Sequence, residues 1–557
     1  MIRTKHGWQM LAALALMVPA ASPAHPPAAS MARSPLEQLF AEWRSFVHAL
    51  PAATGAGPDY GTDATARKLA DLPQWRARLQ RIDRTGWSQQ TIDDARLIEA
   101  EINGYDFFLR VLKPWARDPS FYATVFADQS DVPAHEGPSA EPNIDLWSFA
   151  WPLAPADDRR LTALLRTVPG TLNAARVNLA GSQAADLWRY GGRNFREQSE
   201  TLASLADGTL TLRSLDGRRP ATMTGASTAL RQAIAEARTA TDAFTAWVAA
   251  EAPKRRGPSG IGKAQYDWYT KNVLLSPYDW AAQELLLQRE LDRSLASLRL
   301  EEARNRSLPP IVPIDDPVAY ARMARVRTDR FNDFLVATGI IPDRPYFRAA
   351  LEAQTSSYVR PAERNFFSHG AALDPLPLLS HSTHWIELAR LKHEPHPDPI
   401  RRPAPLFNIF ADRSEGFATA MEEIVMQAGL YDDLPHGREL VWIMLANRAA
   451  RGLASLRVQA NEWDLDTAGR FHAEWTPRGW SNPASRLVGF EQLLYLRQPG
   501  YGTSYILGKL QLDHLLAARS HAADQRRQPF SISATFADIL AAGIVPPALI
   551  ENELKEQ

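Results

Sequence analysis

The chain has 557 residues, with 62 basic and 63 acidic side chains, 13 histidines, 41 prolines and no cysteine. Without cysteine there is no disulfide framework, thiolate zinc site, iron–sulfur cluster or cysteine nucleophile, so any metal site must use His, Asp, Glu or backbone oxygen. A net charge of -1 gives no electrostatic reason to expect nucleic acid or an anionic membrane as partner, and 45% apolar residues supply a large core.

In chain order, Arg3 and Lys5 precede an uninterrupted apolar run from Met10 to Val18, and small residues lead to Ala24. This three-part form predicts a secretory signal over residues 1–24, cleaved after Ala24. The apolar run is too short to span a bilayer comfortably. The expectation is an exported, periplasmic chain with no stable membrane insertion after cleavage, followed by a polar leader over 25–34. Ser88 is placed to cap a helix in which Ile92, Ala95, Ile98, Ile102 and Tyr105 recur at spacings of three and four. Pro114 to Pro155, rich in Pro, Asp and aromatic residues, reads as a long ordered loop. Leu230, Ile234, Ala237, Phe244 and Val248 share one face of another helix. The Gly-rich junction beginning at Gly257 lacks phosphate-loop spacing. It separates an N-terminal helical lobe (35–255) from a C-terminal helical lobe (256–557). Trp280 to Arg306 has the composition of a long helix ended by Pro309-Pro310.

Five histidines (His369, His381, His384, His393 and His396) cluster in the C-terminal half. Leu378 to Leu391 has helical composition, and His381 and His384, three apart, then project from nearly one face. Two such imidazoles can share a divalent metal with a carboxylate from a later helix. The bland alternative is a capping His and a His packed beside Trp385. The His393–His396 pair lacks zinc-helix spacing, and Pro395 and Pro397 break the required helix. Downstream, Ser414 is a candidate cap for a helix with Phe417, Met421, Ile424 and Val425 on its apolar stripe. Glu415 then lies at the helix start, where the dipole favours an ionised carboxylate. Glu422 lies two turns further along the same face. The alternative there is helix-start electrostatics for Glu415 and a solvated face for Glu422 and Glu423.

Three blocks carry a resemblance: GAALDPLPLLSHSTHWIEL, SEGFATAMEEIVMQAGLYDD and LYLRQPGYGTSYILGKLQLDHLL, with DWYTKNVLL before them. Together they resemble a bacterial family known as domain of unknown function 885, related to the gluzincin metallopeptidases. The resemblance implies a mainly α fold: a large helical gluzincin-like peptidase scaffold with a central cleft and little β structure. It matches His384 to the second His of the His-Glu-x-x-His helix and Glu415 to the later Glu ligand. Tyr505 matches the phenol that stabilises an oxyanion. Ser380, however, stands where the first His belongs, and His381 where the general-base Glu belongs. The implied function is an exported metallopeptidase-like hydrolase with an altered active site, acting on peptides or a related amide or ester. Zinc would be held by His384, Glu415 and a turned His381, or His381 would act as base. The alternative is a catalytically inactive pseudopeptidase that binds a peptide or protein partner in the cleft. A third reading is metal-free chemistry with His381 beside Ser380 or Ser382. Tyr501 and Lys509, flanking Tyr505, the His135-Glu136 pair, and Arg401 with Arg402 are weaker candidates for the cleft.

Overall fold

A computed structural model describes residues 34–49 and 57–555. The expected signal over 1–24, and the leader up to residue 33, lie outside the described residues. Helices dominate, as the sequence predicts. The strands among the described residues form two short pairs: Val125–Phe126 parallel to Ile144–Asp145, and Thr211–Ser214 antiparallel to Gly217–Pro220.

Local sequence sets several helix starts. Ser34 and Glu37 form a reciprocal capping box ahead of Pro35–His48. Ser88 accepts the Thr91 N–H at the head of Gln89–Phe107, and Asp279 caps Trp280–Asn305 through Ala282. The stripe of Leu230, Ile234, Ala237, Phe244 and Val248 is buried along Thr228–Glu251. One contiguous apolar cluster runs from Leu36 to Leu554, so residues from both ends of the chain share a core.

Three helices build the wall that carries the site: Ala411–Gln427, Pro435–Gln459 and Tyr501–Gln525. Pro435–Gln459 is buried on every side from Glu439 to Ser455, the signature of a central helix. The other two cross at Gly416 and Gly508. A Cβ on Gly508 would lie 1.9 Å from the Asp412 carbonyl oxygen, and one on Gly416 would lie 2.4 Å from Gly508 Cα. Only hydrogen fits at that contact, so the glycines fix how closely the two backbones approach.

Two expected elements differ. The predicted helix over 378–391 is two helices, Leu376–His381 and Thr383–His393, joined at Ser382. The Ser382 N–H bonds Leu379 O and the Trp385 N–H bonds Ser382 O, so tight turns with hydrogen bonds three residues apart replace the helical ladder there. The glutamate helix begins at Ala411, not after Ser414, with Phe410 at its N-cap and no side-chain cap. Ile409, Phe410 and Ala411 are buried, and packing of this extra turn outranks the local capping signal. The long segment from Pro114 to Pro155 is ordered and holds short helical turns and the parallel strand pair.

Candidate metal centre

The break at Ser382 places His381 at the end of one helix and His384 in the first turn of the next. Their rings lie 4.9 Å apart, nearly perpendicular, at 87°. Glu415 reaches them from the second turn of the glutamate helix. Its Oε2 is 3.1 Å from His384 Nε2 and 3.9 Å from His381 Nε2. One donor atom from each of the three residues falls within 4.8 Å of the others. In a tetrahedral zinc site with bonds of about 2.0–2.2 Å, neighbouring donor atoms sit about 3.3 Å apart. The three groups are therefore spaced to share one divalent ion. His384 Nδ1 and His381 Nδ1 have no aligned hydrogen-bond partner among the described residues, so one nitrogen of each ring is left unpartnered by the protein. This departs from the usual metal-bound His, whose second nitrogen is anchored.

The electrostatics centre on Glu415. Burial opposes its charge, yet His384, His381 and the Tyr501 hydroxyl hold it down to about 2. Burial likewise opposes a charged His384, and the Glu415 carboxylate outweighs it, raising His384 to about 9. Without a metal the two form a buried ion pair. His381 moves the other way: burial, then Arg448 and His384, push it well below the usual histidine range. It is a neutral imidazole, the form that can ligate or accept a proton. Glu415 owes its ionisation to these side chains, because its second-turn position takes it away from the free amides of the helix start.

Around the three lies a shell that the sequence reading saw only in part. Tyr501, noted only as a neighbour of Tyr505, donates its hydroxyl to Glu415 Oε1 at 2.5 Å and lies 3.1 Å from Glu136 Oε1. Glu136 comes from the long loop and lines the cleft. Burial, then the charges of Asp131 and Glu415, raise it to about 8. Glu422 is fully buried, not on a solvated face. It makes a two-pronged ion pair with Arg448 at 2.7 and 2.6 Å, and its Oε1 sits 3.2 Å from His381 Nδ1, out of hydrogen-bond alignment. Burial pushes Glu422 up to about 7 against the pull of Arg448, whose two-pronged contact favours its charged form. Glu423 is paired too, with Arg293 and Lys509.

Tyr505 lines the same cleft, its ring 6.3 Å from that of His381 and its face 4.4 Å from the Arg451 guanidinium. Burial and the Glu415 charge raise its phenol well above the usual range, so it remains a proton donor. Arg451 is itself ion-paired to Glu491. Arg448 and Arg451 carry a signal in the sequence: two arginines one turn apart in a helix whose surrounding residues, Leu440 to Leu456, are mostly apolar. The cleft that joins these groups holds about 870 Å³.

Other candidates fall away. Ser380 is fully buried and donates to the Pro377 carbonyl, so it is not presented as a nucleophile; Ser382 does line the cleft. Lys509 is buried among Glu423, Asp513 and Glu290. Arg401 is locked to Asp94 and Glu553, and Arg402 bonds the carbonyls of His396 and Pro397. These are structural ties, not substrate contacts.

No protein-family model and no curated protein matches this chain. Among solved structures, it is similar to one titled "putative lipoprotein of unknown function" from Shewanella oneidensis, with a TM-score of 0.64 at 13% identity. That match covers 94% of this chain and 100% of the other. It is likewise similar to a "putative lipoprotein" from Colwellia psychrerythraea, again with a TM-score of 0.64 at 13% identity, covering 94% and 98%. At that identity the likeness shows a shared fold.

Proposed function

We propose that this chain is an exported metallopeptidase-like hydrolase with an altered active site, a member of the domain of unknown function 885 family related to gluzincins. The observation that carries the reading is the convergence of His381, His384 and Glu415 at the wall of a large cleft, with the Tyr505 phenol on the same wall. His381, His384 and Glu415 would hold zinc, which when bound supplies Lewis-acid polarisation of a carbonyl. The chain's own groups do the rest. Tyr501 holds Glu415 in place through its hydroxyl, and Tyr505 offers a proton to an oxyanion developing in the cleft. The substrate class is a peptide or a related amide or ester. Export to the periplasm rests on the signal pattern of residues 1–24, and the lipoprotein titles of the two structural neighbours agree with a cell-envelope location.

A second reading has its own observation. His384 and Glu415 already neutralise each other, and the general-base carboxylate of the family pattern is missing at position 381. A pseudopeptidase that only binds a peptide would keep the cleft on those terms. Metal analysis of the mature chain, purified without a metal-binding tag, separates the two. Stoichiometric transition metal, lost in His384→Ala and Glu415→Ala, is expected; absence of metal after reconstitution would sink the metal-site reading.

A further inference from the structure

Five arginines line the cleft, and three have carboxylate partners: Arg448 with Glu422, Arg451 with Glu491, and Arg497 with Asp118. The other two, Arg213 and Arg218, make no ion pair with any described residue. They are also directly opposite each other in the Thr211–Ser214 and Gly217–Pro220 hairpin. Side chains opposed in this way share a face of the hairpin with Cβ atoms about 4.5–5.5 Å apart, and like charges so placed repel. Asp128 accepts the main-chain N–H of Arg213 and its carboxylate attracts both guanidinium groups from beyond ion-pair distance, while Asp216 in the turn is paired with Lys392.

The pair is held in place by other contacts. The Arg213 guanidinium lies 4.7 Å from the ring centroid of Trp385, the residue that follows His384. Its Nε donates to Gln354 Oε1 at 3.1 Å, and Gln354 is anchored in turn on the Ser214 carbonyl. Arg218 donates through Nη1 to Ser357 Oγ. These contacts leave both terminal nitrogens of Arg213 and one of Arg218 without an acceptor among the described residues. A planar carboxylate matches such a guanidinium end with two parallel hydrogen bonds, and it would offset the repulsion within the pair.

We propose that Arg213 and Arg218 form a carboxylate-binding subsite that positions a peptide by one of its negative groups next to the His381–His384–Glu415 centre. The proposal rests on the cleft being a peptide site, as argued above. The carboxylate has two possible sources, the C-terminus of the peptide or an acidic side chain.

Calorimetric titration of the mature chain with three peptides tests this. The probes are N-acetyl-tetraalanine as the free acid, the same peptide as its C-terminal amide, and an amide in which one alanine is replaced by glutamate. One or both carboxylate-bearing peptides should bind about tenfold or more tightly than the uncharged amide, as expected of a charge-assisted bidentate contact. The preference should vanish in Arg213→Gln and Arg218→Gln. Thermal melting of both variants shows that each is folded, so that a lost preference reports the subsite and not unfolding. A preference for the free acid identifies the C-terminus as the group recognised, and a preference for the glutamate amide identifies a side chain. Equal binding of all three overturns the arginine subsite and leaves the cleft reading standing. Binding of none overturns both.

Discussion

Glu422 shows how a single residue can be read one way in sequence and another in space. Beside Glu423 on a helix it has the pattern of a solvated face. Buried, it pairs with Arg448 and stands 3.2 Å from His381 Nδ1. Removing one partner of a buried ion pair leaves the other charge without compensation, at a cost of about 3–5 kcal/mol. Glu422→Ala should therefore lose stability of that order in denaturant unfolding, and Glu422→Gln, which keeps a hydrogen-bond acceptor for Arg448, should lose less. Equal stability of Glu422→Ala and wild type would show that the Arg448 pair carries no such weight.

At the scale of elements, the Gly416–Gly508 crossing matters most. Glu415 adjoins Gly416, and Tyr505 lies one turn before Gly508, so the distance between the two helices sets how carboxylate and phenol face the cleft. Gly508→Ala would drive a methyl group into the Asp412 carbonyl, and overpacking of this kind costs about 1–3 kcal/mol or more. The expected outcome is a lower Tm and, if the proposed zinc site holds, weaker metal retention, because the helices must part and take Glu415 with them. Retained metal in a variant with a lowered Tm would show that the crossing serves stability alone. The same scale shows what local sequence could reveal. The Ser34, Ser88 and Asp279 caps and the apolar stripe of Thr228–Glu251 depend on neighbours along the chain. The break at Ser382 and the extra turn before Ser414 depend on tertiary packing, and capping patterns carry no record of it.

For the whole molecule, acid stability depends on buried histidine. Burial, then the Arg451 charge, lower His472 to about 3 from an ordinary 6.5. It is enclosed in the helix Leu465–Trp475, within hydrogen-bond distance of Asn447. Between those two values the unfolded chain binds the proton and the folded chain does not. Stability therefore rises with pH across that window and falls on acidification below about 6.5. A single such group contributes at most about 1.4 kcal/mol per pH unit. Comparing the urea unfolding of wild type and His472→Gln from pH 4 to pH 7 should show a shallower acid loss in the variant. Identical slopes would mean that His472 titrates normally in the folded chain.

The sequence by itself determined the mainly helical class, because periodicity and caps are local properties. It also marked His381, His384, Glu415 and Tyr505, because the blocks that contain them carry a recognisable pattern. It excluded thiolate chemistry by composition alone. Only the tertiary structure decided that the first three residues converge, since they lie on three helices and their spacing depends on a break at Ser382 and a glycine crossing. It also decided that Tyr501, Glu136 and Glu422 surround them, and that Arg213 faces Arg218 with no ion pair to either among the described residues. Charge pairing is a property of distance in space, and a sequence lists charges without saying which of them meet.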